Sequence, residues 1–105
     1  MQRQLRFTTR ARAELAVLKA NPRFAGLLKQ VLKTLGLLET NPGHPGLRTH
    51  KFSALQGVNG EEVFEAYAQN NTPGAYRIFW YYGPDEMAGK KRVPIITILA
   101  ITAHP

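Results

Sequence analysis

The sequence predicts an α+β fold in which a helical hairpin packs on one face of a small, mainly antiparallel sheet. Three observations lead there. Apolar residues between positions 10 and 38 recur at helical spacing, those from 62 onward fall into alternating or wholly apolar runs of strand length, and a turn-rich segment, Asn41-Pro42-Gly43-His44-Pro45-Gly46, separates the two halves. A chain of 105 residues with 44% hydrophobic content suits one domain over 1–105, with a single core.

Gln4-Leu5-Arg6-Phe7 alternates polar and apolar residues as a short edge strand does, and either Thr8 or Thr9 can cap the helix that follows at about Arg10. In that helix Ala11, Leu15 and Leu18 share a face, until Asn21-Pro22 breaks it. Asn21 reads as the N-cap of a second helix and Pro22 as its first residue. Phe24, Leu27, Leu28, Val31, Leu32, Leu35 and Leu38 form its apolar stripe, with Lys29 and Lys33 opposite. Beyond the Pro/Gly connector, 47–55 includes a short extended piece, and 62–69 alternates as a strand. The loop 69–74 leads to Ala75-Tyr76-Arg77-Ile78-Phe79-Trp80-Tyr81-Tyr82, which pairs with 62–69 as a hairpin. Residues 83–92 are polar, contain glycine and end in Lys90-Lys91-Arg92, so they read as an exposed, mobile loop before the final strand, 95–104. The predicted order is β-α-α-β-β-β.

The fourteen Lys and Arg residues exceed the seven Asp and Glu, giving net +7 and a pI near 10.2, a field that attracts polyanions such as nucleic acid, the ribosome or an acidic protein. With no cysteine, disulfides and thiolate metal sites are excluded. No apolar run approaches the roughly 20 residues that span a bilayer, and no leader pattern opens the chain, so a soluble cytoplasmic protein without a membrane partner is expected.

Arg77 is the residue a buried aromatic strand has least use for. Period-two alternation puts Tyr76, Ile78, Trp80 and Tyr82 on one face, against the helices, and sends Arg77, Phe79 and Tyr81 to the open side of the sheet. There Arg77 either pairs with Glu65 on the neighbouring strand or binds an anion. In the last strand Ile96, Ile98, Ala100, Thr102 and His104 share a face by the same alternation. His50-Lys51 sets an imidazole and an ammonium where the connector enters the sheet, while His44, between Gly43 and Pro45, serves its turn. Together these groups suit metal-free RNA cleavage, in which the ribose 2′-OH attacks the adjacent phosphate: histidine moves protons near neutral pH and cations stabilise the phosphate oxygens. DNA, without the 2′-OH, would resist. The three histidines lack ligand spacing and a companion carboxylate, so neither a metal nor another cofactor is expected.

Several segments in order make the chain resemble the RelE/ParE superfamily of toxins from type II toxin–antitoxin modules. They are 5–15, the helical hairpin, Gly46-Leu47-Arg48-Thr49-His50-Lys51 leading to Leu55-Gln56-Gly57, Val63-Phe64-Glu65-Ala66-Tyr67, Gly74-Ala75-Tyr76-Arg77-Ile78-Phe79-Trp80, and the ending 98–104. The resemblance covers nearly the whole length. In the RelE branch, with its YoeB and YafQ types, it implies a ribosome-dependent, metal-independent mRNA endonuclease that inhibits translation. Arg77 falls on the strand arginine that binds the scissile phosphate, His104 on the C-terminal histidine that acts as acid or base, and His50 and Lys51 on positions of base or electrostatic duty. The expected RNA contacts are Arg48, Lys51, Tyr81, Lys90, Lys91 and Arg92. Several relatives follow the terminal histidine with an aromatic residue, where this sequence has Pro105; Tyr81 or Tyr82 is the candidate replacement. The implied partners are an acidic cognate antitoxin, the ribosome and mRNA. The alternatives are a ParE-like toxin that inhibits DNA gyrase without cutting RNA, or an inactive homologue that only binds a partner.

Overall fold

The computed structural model describes residues 2–69 and 74–103. Among them the chain runs β1 (Gln4–Phe7), α1 (Thr9–Ala20), α2 (Ala25–Thr40), β2 (His50–Gln56), β3 (Glu62–Tyr67), β4 (Tyr76–Tyr82), β5 (Glu86–Ala88), β6 (Lys91–Val93) and β7 (Ile95–Ala103). Five strands form a mixed sheet in the order β1-β7-β4-β3-β2, with β1 parallel to β7 and the other neighbours antiparallel; β5 and β6 make a separate hairpin. No helix among the described residues is long and apolar enough to cross a membrane.

The helices form where capping and spacing direct them. The Thr8 hydroxyl accepts the Ala11 N–H at 3.0 Å, and α1 buries Ala11 and Leu18 at helical spacing. The second helix starts later than expected: Asn21 does cap, accepting from the Arg23 N–H, but Pro22–Phe24 is a 3₁₀ turn and α2 begins at Ala25. Its inward face presents Val31, Thr34, Leu35 and Leu38. The three apolar ones pack with Ile78, Trp80, Ile96, Ile98 and Ile101, so the helices cover the predicted face of β4. Each leucine buried there contributes about 1.5–3 kcal/mol.

The other face is not open. Phe79 and Tyr81 pack with Val63 and Ala100, and Phe52 and Leu55 of β2 lie against them. The strict alternation expected along β7 also fails. Phe79 pairs with Ala100 but Trp80 pairs with Ile98, so Leu99 is an extra residue, and Ala100 and Thr102 move to the face opposite Ile96 and Ile98. The first helix and its cap stabilise this bulge: the Thr8 hydroxyl donates to the Leu99 carbonyl at 2.7 Å, and Glu14 accepts the Ile101 N–H at 2.8 Å.

The polar stretch 83–92, expected as a mobile loop, holds the β5–β6 hairpin, turned at Gly89 with φ of +64°. Arg6 forks onto Glu86 with bonds of 2.9 and 2.7 Å, fastening the hairpin to β1. That bonding, aided by charge, holds the Glu86 carboxyl below its ordinary range and raises Arg6.

Candidate functional site

Arg77 lies in the β4 ladder between Tyr67 of β3 and Thr102 of β7. It leaves the helix-covered face, as alternation requires, but it is only 8% exposed. The guanidinium is held on several sides: Nε donates to Glu65 Oε1 at 3.1 Å, Nη1 donates to the carbonyls of Gln69 at 2.7 Å and Tyr76 at 3.2 Å, and the group stacks 3.7 Å from the Tyr67 ring centroid. Glu65 is fully buried. The open, outward Arg77 expected from the sequence is thus corrected to a buried cation, and of its two expected uses the pairing with Glu65 is the one seen. Glu65 sits across from Phe79 rather than Arg77, so the ion pair is diagonal.

An accessible layer lies over this pair. His50 pairs with Glu65 across β2 and β3, which places both on one face. Its Nδ1 lies 3.0 Å from the Arg48 carbonyl, which can only accept, so Nδ1 carries the hydrogen in that contact. Nε2 lies 3.6 Å from Glu65 Oε2, a contact that becomes an ion pair when the ring is protonated. The ring meets Tyr67 edge-on with centroids 5.8 Å apart, and 48% of the side chain is exposed. Arg48 is exposed, with its guanidinium 5.9 Å from the same Tyr67 centroid. Among the described residues it is the single non-glycine with positive φ, at φ 48° and ψ 39°. That left-handed conformation costs about 1–2 kcal/mol for a residue with a Cβ.

The cluster therefore has two layers, Glu65, Arg77 and Tyr67 within and Arg48 and His50 without. Arg77 and Glu65 cancel in charge, leaving Arg48 and a protonatable imidazole to face an incoming group. Such an arrangement can attract an anion and exchange a proton with it.

The remaining expected residues lie elsewhere. Lys51 pairs across the ladder with Phe64 of the helix-side cluster, so it points to the other face, where Nζ meets Glu62 at 3.1 Å. Tyr81, expected as an RNA contact, is 3% exposed in the second apolar cluster, where its ring packs with Val63, Phe79 and Ala100. Lys90, Lys91 and Arg92 belong to the β5–β6 hairpin at the opposite edge of the sheet. His104 and Pro105 lie outside the described residues. His44 serves its turn, its Nδ1 accepting the Gly46 N–H at 2.9 Å.

Tyr67, which touches three members of the cluster, was not singled out from the sequence. The signal was present: alternation puts Glu65 and Tyr67 on one face of β3, and pairing the two strands through the short loop brings Tyr67 across from Arg77. Among the described residues no three His, Cys, Asp or Glu side chains gather as a metal site would require. Compared with family models, curated proteins and solved structures, the chain has no significant match in any of them.

Proposed function

We propose that this chain is the toxin of a type II toxin–antitoxin module, of RelE-like kind, which cuts mRNA on the ribosome without a metal. The observation that carries this is the pairing of accessible Arg48 and His50 over the buried Glu65–Arg77 pair. In this reading His50 exchanges the proton of the ribose 2′-OH as the 2′-oxygen attacks phosphorus. The P–O5′ bond breaks, a second group protonates the leaving 5′-oxygen, and the products are a 2′,3′-cyclic phosphate and a 5′-hydroxyl. His104 is the candidate for that second group. Arg48 stabilises charge on the phosphate oxygens, while Arg77, through Glu65, holds His50 in place. Lys51, from the other face of the β2 edge, adds to the attracting field. Net +7 suits both RNA and the acidic antitoxin that would restrain the toxin in the cytoplasm.

One observation favours a second reading, a ParE-like toxin that inhibits gyrase without cutting RNA. Arg77, the residue the RelE resemblance assigns to phosphate, is buried and bound by Glu65 and backbone carbonyls. Two assays on the purified wild-type protein separate the readings. Cleavage of mRNA in the presence of ribosomes, with gyrase supercoiling unaffected, is the expected result. Inhibited supercoiling with intact mRNA would establish the second reading, and neither effect would leave a protein that only binds a partner.

A further inference from the structure

We propose that the β5–β6 hairpin, together with Arg3 and Tyr82, forms a second surface that binds single-stranded nucleic acid by its phosphates and by one unstacked base. It is separate from the Tyr67 cluster. The hairpin is fastened to β1, whereas His50 lies on β2, and these are the two edges of the sheet, four strand spacings or about 19 Å apart. Tyr82 also belongs to the face of β4 opposite Arg77.

Charge at this end is unbalanced by arrangement as well as by count. Arg3, Lys90, Lys91 and Arg92 form no ion pair among the described residues. Three acids lie nearby: Glu86 holds the Arg6 fork, Asp85 accepts the Ile95 N–H at 3.0 Å, and Glu39 ends α2 beside Arg3, its backbone carbonyl accepting the Arg3 N–H at 2.9 Å. The five cations Arg3, Arg6, Lys90, Lys91 and Arg92 still outnumber them. Arg3, Arg92, Tyr82, Gly83 and Asp85 line one shallow recess, and Arg92 and Lys91 continue into the next beside Gln2 and Gln4. The cations stand on a fixed platform because Arg6 ties the hairpin to the sheet.

The aromatic residue distinguishes nucleic acid from an acidic peptide. Tyr82 is 45% exposed, while Trp80 and Phe64 meet its ring edge-on and Arg3 lies 4.8 Å from its centroid. The Arg3 guanidinium lies over this ring, and a base would join that aromatic–guanidinium stack, with phosphates on the flanking cations. An acidic peptide would use the charges and leave the ring idle.

Fluorescence anisotropy with a labelled ten-residue oligodeoxythymidine tests this. The probe lacks the 2′-OH, so failure to bind here and failure to cleave RNA at the His50 cluster are read separately. The wild type should bind it. Neutralising the patch as Arg3→Gln, Lys90→Gln, Lys91→Gln and Arg92→Gln together should lower the slope of log affinity against log salt by roughly 2–3. Tyr82→Leu should weaken binding roughly 5- to 150-fold, and Tyr82→Phe should restore it. An unchanged affinity in the neutralised protein would overturn the proposal. So would equal affinity of Tyr82→Leu and wild type, or competition by oligoglutamate as effective as by unlabelled oligonucleotide.

Discussion

Replacing Arg77 by alanine removes the cation nearest a fully buried carboxylate, Nε at 3.1 Å from Glu65 Oε1. Breaking a buried ion pair from one side costs about 3–5 kcal/mol, because the remaining charge stays in a poorly solvating site. The guanidinium stacked 3.7 Å from the Tyr67 centroid and its bond to the Gln69 carbonyl are lost as well. They keep the expected value near the upper end of that range. With a urea slope of about 2 kcal/mol per molar, the unfolding midpoint should fall by about 2 M. A double-mutant cycle isolates the pair: Arg77→Met with Glu65→Gln removes both charges, and its cost should fall short of the sum of the single changes by about 1–3 kcal/mol. Urea titrations followed by circular dichroism on Arg77→Ala and on the four proteins of the cycle provide the numbers. An Arg77→Ala midpoint within 0.3 M of wild type, or additive single changes, would refute the role of Arg77 as a buried support.

Three further outcomes can be checked in the same protein. Arg48→Gly relieves a left-handed residue but gives the unfolded chain more freedom, so stability should change by no more than about 1 kcal/mol in urea titration while affinity for RNA falls. Thr8→Ala removes both the α1 cap and the bond to the Leu99 carbonyl, which should cost about 1–3 kcal/mol by thermal or urea unfolding, with Thr8→Ser recovering most of it. Because Glu86 has its folded carboxyl below its unfolded value, its contribution is complete above the unfolded value and disappears as pH falls through the folded one. Amide exchange in β5–β6 should therefore accelerate in acid, and Arg6→Gln should return the Glu86 titration seen by NMR toward the ordinary range.

The elements most legible in the sequence were those governed by local chemistry. Asn21 caps and Pro22 starts a turn as their residue types require, and the leucine spacing of α2 identifies its buried face. Elements that depend on tertiary partners were not legible. The bulge at Leu99 inverts the facing of Ala100 and Thr102, and what stabilises it is Thr8 and Glu14, more than eighty residues earlier. The β5–β6 hairpin looks like loop composition because its anchor, Arg6, also lies far away in sequence.

The site divides along the same line. Alternation placed Arg77 away from the helices, but whether that face was open depended on Phe52 and Leu55 of β2 and on the depth of Glu65, which a pattern within one strand does not register. His50 and Lys51 are adjacent in sequence and would be expected to act together, yet neighbouring strand residues point to opposite faces, and only His50 joins Glu65. Arg48, expected as one RNA contact among several, gained importance through a left-handed backbone that its residue type does not announce.

The most direct measurement is the rate of mRNA cleavage on ribosomes by wild type and His50→Gln, with the urea midpoint of each protein determined alongside. If His50 moves the proton, the variant should keep its stability and cut roughly 10²–10⁴-fold more slowly, the usual contribution of a positioned acid or base. The wild-type product should carry a 2′,3′-cyclic phosphate. An equally stable variant that cuts at the wild-type rate would contradict the proposed site.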